Sequence, residues 1–205
     1  MITRLSRLSR NCAPFPGVDA LSEPVHIVGP VHRPSPPVQA DPTSSVVRLV
    51  PIAEDDRQMR AALAAHRLSA EQQRFVAPAV ESLPLGDADP DRLSVAILVG
   101  KEPVGMFALD RGGYFREFDS DPQAVLLRAF YVAPERQRRG YARAAVAAVP
   151  DFVRYQLPDV RRVVLTVNHE NPTAIRTYLA GGFTDTGEDY MGGVAGPQRV
   201  FELAL

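Results

Sequence analysis

The sequence predicts a mixed α/β domain, a mostly antiparallel sheet of six to seven strands flanked by about four helices. Two observations point there. Runs rich in β-branched residues alternate with alanine-rich runs in the order βααβββαβαββ, and the middle three strands follow one another without a helix between them. All of this regular pattern also lies after residue 45, where a proline-rich stretch ends.

Residues 46–52 read as the first strand, with Val46, Val47 and Val50 supplying β propensity. Glu54, Asp55 and Asp56 form an acidic helix start, and the alanine-rich run through Ala65 continues it. Residues 69–76 suggest a second short helix, after which Pro78, Pro84 and Pro90 punctuate a long loop. Residues 93–99 and 104–110 are two strands joined at Gly100, Lys101, Glu102 and Pro103, a hairpin by turn chemistry. The fourth strand is 124–132. Strict alternation places Leu126, Arg128, Phe130 and Val132 on one face and Leu127, Ala129 and Tyr131 on the other. A helix from Gly140 to about Arg154, a buried strand at 163–167 and a helix at 171–179 follow. Two final strands start at Phe183 and Arg199, and the glycine-rich 192–196 segment joins them.

The 205 residues suit one domain plus a tail: 1–45 a leader and 46–205 the domain. With 45% hydrophobic residues the chain can bury a core, and a net charge of −1 argues against coating nucleic acid or an anionic membrane. A single cysteine, Cys12, excludes an internal disulfide and a cysteine metal cluster, and His26, His32, His66 and His169 lack ligand spacing, so no metal is expected. No apolar run approaches the ~20 residues that span a bilayer. A cytoplasmic protein is the expectation, with a homodimer left open. The leader carries Pro14, Pro16, Pro24, Pro30, Pro34, Pro36, Pro37 and Pro42, which deny it helix and strand ladders, so it is expected to be disordered. Its Arg- and Ser-rich first ten residues have a transit-peptide composition; a plain disordered leader, or an over-extended reading frame, explains them as well.

The segment 129–142 (Ala-Phe-Tyr-Val-Ala-Pro-Glu-Arg-Gln-Arg-Arg-Gly-Tyr-Ala) reads physically as a phosphate cradle. An apolar strand runs into a basic loop, and Gly140 opens a helix whose first N–H groups have no partner and whose dipole favours an anion. Arg136, Arg138, Arg139 and Arg143 add full charges. Downstream, Asn171 can cap a helix that has Pro172 at its first position. Ala174 and Tyr178, four apart, share one face, and Gly181 and Gly182 end the helix before Phe183.

These two segments together resemble the GNAT acetyltransferase superfamily. Gln137-Arg138-Arg139-Gly140-Tyr141-Ala142 is similar to its acyl-CoA-binding motif, Gln/Arg-x-x-Gly-x-Gly/Ala. Val167, Asn171, Ala174, Tyr178, Gly182 and Phe183 match every fixed position of its second signature, and the likeness covers roughly residues 46–205. The resemblance implies a sheet splayed between strands four and five, with acetyl-CoA entering the gap as cosubstrate. It implies that the backbone of Phe130, Tyr131 and Val132 pairs with the pantetheine arm, that Asn171 belongs to the cofactor site, and that Tyr178 is the general acid. The other reading of Tyr178 is a core tyrosine whose hydroxyl finds a carbonyl. Some members carry a basic glutamate on strand four; residues 126–132 contain no acid, and Glu117, Asp119 and Asp121 are the nearby candidates.

The activity implied is N-acetylation of a primary amine by direct attack in a ternary complex. A small-molecule amine or polyamine is favoured. Residues 71–83 are similar to the early helical region of bacterial spermine/spermidine acetyltransferases, and Glu71, Glu81, Asp87, Asp89 and Asp91 could attract a polycation. A protein amino terminus or lysine as acceptor, and a non-catalytic acyl-CoA-binding module, are the alternatives. Nucleic-acid binding by the arginines finds no recognition motif.

Overall fold

The computed structural model describes residues 46–112, 119–193 and 195–205; the leader and Glu117 lie outside them. Val47–Pro51 (β1), Arg92–Val99 (β2), Glu102–Asp110 (β3), Ala124–Val132 (β4), Arg162–Asn168 (β5), Thr184–Tyr190 (β6) and Gln198–Ala204 (β7) form one sheet in the order β1-β2-β3-β4-β5-β7-β6. Every neighbouring pair is antiparallel except β4 and β5. A parallel pair needs a crossover, which the helix Tyr141–Gln156 (α4) supplies. The other helices are Arg57–Ala64 (α1), Ala70–Gln73 (α2), Ala79–Asp87 (α3) and Pro172–Ala180 (α5).

Local chemistry fixes the helix starts. Asp56 caps α1 by accepting from the Met59 amide at 2.9 Å. Ser69 and Gln72 cap each other's backbone at α2, and Asn171 accepts from the Ala174 amide at 3.1 Å to start α5. Helix α3 corrects the expected long loop. Pro78 stands at its cap, where no N–H is needed, and Pro84 forfeits only the bond to the carbonyl of Val80, a residue 58% exposed and open to water. Ala79 and Leu83 are buried beside Leu63 of α1, and that packing outweighs the proline.

Alternation splits the core between the two faces of the sheet. Val95, Ile97, Phe107 and Leu109 pack against Val146, Val149 and Val153 of α4, with Tyr178 of α5 in the same cluster. Their strand neighbours Ala96, Leu98 and Met106 turn to the opposite face and pack with Leu63 and Leu83 of α1 and α3. We refer to these as the α4 face and the α1 face.

Strand β4 does not alternate strictly. Its register with β3 slips between the pairs Met106↔Tyr131 and Ala108↔Arg128, so Phe107 opposes two residues, and Ala129 sits at φ 54°. Before this bulge Val125 and Leu127 face α4; after it Phe130 and Val132 do. The bulge thus moves Phe130 and Val132 off the face expected from alternation, and leaves Leu126, Arg128 and Tyr131 on the α1 face.

The same strand opens the sheet. β4 and β5 pair only at Ala124↔Arg162, Val125↔Val163 and Leu126↔Val164, while β5 stays paired with β7 along its length. Beyond Leu126 the two strands diverge. This is the splay that the motifs implied.

Candidate active site

The divergence leaves a cleft whose mouth lies at the carboxyl ends of β4 and β5. Two helices start there, α4 after Gly140 and α5 after Asn171. They differ in one respect: the Asn171 side chain caps α5, whereas no side chain caps α4. The first N–H groups of a sixteen-residue helix are therefore aimed at the mouth with its positive dipole end. Gly140 takes φ 79° and Arg138 φ 60°, so left-handed backbone recurs along the loop, and nothing lies within 4 Å of where a Gly140 Cβ would be. That shape suits an anion held close to the backbone. Arg136 is diverted from it, since it pairs with Glu102. Among the described residues Arg138, Arg139 and Arg143 make no ion pair and leave their charge to the loop.

Backbone direction on β4 follows from one bond. The Ala133 amide donates to the Val104 carbonyl at 2.9 Å, so Ala133 faces β3 and Val132 turns its own N–H and C=O toward the cleft. Tyr131, one residue back, gives its backbone groups to β3, and its carbonyl lies so close to Gly105 that a Cβ there would come within 2.1 Å. Phe130 turns to the cleft again. The Val132 carbonyl already accepts from the Gln72 amide at 2.9 Å and the Gln137 amide at 3.1 Å.

Tyr178 reaches the cleft from α5. It is 8% exposed, edge-on to Phe130 at 5.9 Å and to Phe183 at 5.7 Å between centroids. Burial pushes its phenol well above the usual tyrosine pKa, so it is protonated at neutral pH. No hydrogen bond joins its hydroxyl to any described residue, unlike a core tyrosine anchored to a carbonyl.

The acetyltransferase (GNAT) family profile matches residues 57–183, which include the cradle, the cleft and Tyr178. The chain belongs to this family. It is an acetyltransferase, and it is 31% identical over 126 residues to YbbJ, an uncharacterised N-acetyltransferase of Bacillus subtilis, covering 61% of this chain and 79% of YbbJ. Among solved structures, AAC(6')-Ib in complex with acetyl-CoA is similar at a TM-score of 0.64 and 18% identity, over 77% of this chain and 93% of that one. Spermidine N-acetyltransferase of Vibrio cholerae, with CoA and spermine, is similar at a TM-score of 0.55 and 17% identity, over 78% and 96%. At such identities these two likenesses show the shared fold.

Among the described residues, four of the carboxylates named from the sequence, Asp119, Asp121, Asp87 and Asp89, are engaged away from the mouth of this acetyltransferase's cleft. Asp119 and Asp121 pair with Arg162 at 2.9 and 3.2 Å, at the closed end where β4 and β5 begin. Eight residues of strand, roughly 26 Å, separate them from Val132. Asp87 pairs with Arg60, and Asp89 accepts from the Asp91 amide in the turn before β2. Of the five acids expected to attract a polycation, Glu71, next to Gln72, is the one placed by its neighbour's bond at the mouth.

Sequence reading missed two polar pairs that join distant segments. His66 accepts at Nδ1 from the Tyr131 hydroxyl, 3.2 Å away, and donates from Nε2 to the Pro103 carbonyl at 3.2 Å. The carbonyl can only accept, which fixes this tautomer. Burial of the ring lowers its pKa. Asp110, 3% exposed at the end of β3, accepts from Arg128 at 2.9 Å and from the Gly112 amide at 3.0 Å. The residue types of Asp110 and Arg128 were visible; only the β3–β4 register brings them together. Among the described residues no cluster could hold a metal ion, and no helix is long and apolar enough to cross a membrane.

Proposed function

We propose that this chain transfers the acetyl group of acetyl-CoA to a primary amine of a small molecule, by direct attack in a ternary complex in the β4–β5 cleft. The observation that carries this is an uncapped helix start, with left-handed backbone at Arg138 and Gly140, beside a sheet that opens three residue pairs into β4. The loop 137–142 would hold the pyrophosphate through backbone N–H groups, with Arg138, Arg139 and Arg143 supplying charge. The pantetheine arm would run along β4, pairing with Phe130 and Val132; Tyr131 serves through its side chain beneath α1 instead. Asn171 has its carbonyl oxygen committed to the cap and keeps its amide for the cofactor.

Acetyl-CoA supplies a thioester, whose carbonyl carbon the amine nitrogen attacks. The C–N bond forms, the C–S bond breaks, and the sulfur leaves with the bonding pair. Tyr178 gives that sulfur its phenolic proton, and the proton shed by the nitrogen restores the phenol through solvent. The dry surroundings that raise the phenol's pKa also raise the thiolate's affinity for a proton, so the two stay matched. The amine must arrive as free base. From a lysine-like pKa of ~10.4 that costs about 4.6 kcal/mol at pH 7, which desolvation beside the cationic loop offsets. The cosubstrate is an intracellular metabolite, which supports a cytoplasmic site of action.

A thiol-release assay with acetyl-CoA and a panel of amines tests the reading. Amine-dependent release is expected; release that no amine stimulates would leave a binding module.

A further inference from the structure

We infer that Glu170 selects the acceptor by holding a second, non-reacting ammonium group of the same molecule, and that Arg74 occupies this carboxylate until the acceptor takes its place. The acceptor is then a small molecule with at least two amines. This rests on the acetyl-transfer reading above.

The paired stretch of β4 and β5 ends at Leu126↔Val164, and an ion pair spans the gap again at its mouth. On the β4 side, Leu68 and Val76 lie either side of α2 and pack in the cluster of Tyr131 on the α1 face, while Gln72 donates to the Val132 carbonyl at 2.9 Å. Arg74 follows α2 directly. On the β5 side, Asn168 ends the strand and is 5% exposed. Its side chain donates to the Ala195 carbonyl at 2.7 Å and accepts from the Glu170 amide at 2.8 Å. A buried carboxamide therefore fixes the turn that carries Glu170. Arg74 and Glu170 meet at 2.5 Å, with side chains 56% and 65% exposed.

Stability does not explain this pair. Water screens an ion pair so exposed, and two long side chains must be ordered to make it. What it does is hold a cation on a carboxylate at the acceptor's side of the opening. The cradle lies at the start of α4, so acetyl-CoA comes in from the α4 face and the acceptor from the α1 face, past α2. A primary amine in water is an ammonium, and Glu170 can accept from it as it accepts from Arg74. The ammonium held there is not the attacking nitrogen, because a carboxylate stabilises the protonated form and would deepen the cost of making the free base. A second amine meets both demands: one nitrogen stays charged at Glu170 while the other reaches the thioester uncharged. The displaced guanidinium keeps a support in the Phe75 ring, over which it lies at 5.1 Å.

The test compares diaminobutane with aminobutanol, which has the same length and a polar but uncharged end, in the parent, Glu170→Gln and Arg74→Gln. Both side chains are more than half exposed, so neither substitution should unfold the protein. The parent is expected to favour diaminobutane in kcat/KM by about fivefold per amine, the scale of one exposed ion pair, and less at high salt. The two variants break the same ion pair but should act in opposite directions. Glu170→Gln should raise KM for diaminobutane and erase the preference. Arg74→Gln, which removes the competing cation, should lower that KM and widen the preference. A strap that only closes the mouth predicts the same change from both. Equal use of the two amines by the parent, a preference that survives Glu170→Gln, or KM shifts of one sign in both variants would overturn the inference. Absence of turnover with every amine would defeat the acetyl-transfer reading alone, since calorimetric binding of the two amines to the CoA-loaded parent and variants decides the role of Glu170 by the same signs.

Discussion

Gln72 and Gln137 donate to a single acceptor, the Val132 carbonyl, at 2.9 and 3.1 Å. One amide comes from α2 and the other from the loop that leads into α4, so the end of β4 is tied to both at the mouth of the cleft.

Either amide alone satisfies the carbonyl. Gln72→Ala and Gln137→Ala should each cost about 0.5–1.5 kcal/mol in urea denaturation, and the double variant more than their sum, because only then is the carbonyl left without a side-chain donor. Strict additivity would show that the two bonds do not share one role.

Acetyl-CoA should raise the thermal midpoint, since it binds the native cleft and not the unfolded chain. At a hundredfold excess over its Kd the stabilisation is about 2.7 kcal/mol. Gly140→Asp should abolish the shift, because it puts a negative side chain into the open space beside the loop and strains a residue at φ 79°. A folded variant that keeps the full shift would place the cradle elsewhere.

His66 makes stability depend on pH in one direction. Its folded pKa lies below the ordinary histidine value of 6.5, with burial the main cause. Above that value neither state binds the proton and His66 contributes no pH dependence. Below it the unfolded chain takes the proton first, so stability falls as pH drops toward the folded pKa. Comparing urea midpoints at pH 8 and pH 5, the parent should lose more than His66→Gln, which can keep both hydrogen bonds without titrating. An equal loss in the two proteins would remove His66 as a cause.

Much of the fold was legible because local signals carried it. Asn171 announced its helix through a cap, the acidic run Glu54–Asp56 marked the start of α1, and β4 was readable from Ala124 to Val132. Helix α3 was hidden by Pro84, whose cost is offset by burial of Ala79 and Leu83 against a helix distant in sequence. The bulge was hidden more deeply: Ala129 adopts a positive φ that sequence assigns to glycine, and this alone reverses the facing of Phe130 and Val132. Of the site, the cradle and Tyr178 were visible as motifs. Arg128–Asp110 and His66–Tyr131 were not, because each pair exists only through tertiary register.

The most direct measurement of the central claim, transfer in the cleft with Tyr178 as the acid, is the turnover of Tyr178→Phe at saturating amine. The ring packing against Phe130 and Phe183 is kept, and no hydrogen bond to a described residue is lost, so stability and acetyl-CoA affinity should hold. The account predicts a fall in kcat of about 10²–10⁴-fold. Turnover within about twofold of the parent, a factor far below any general-acid contribution, would contradict it.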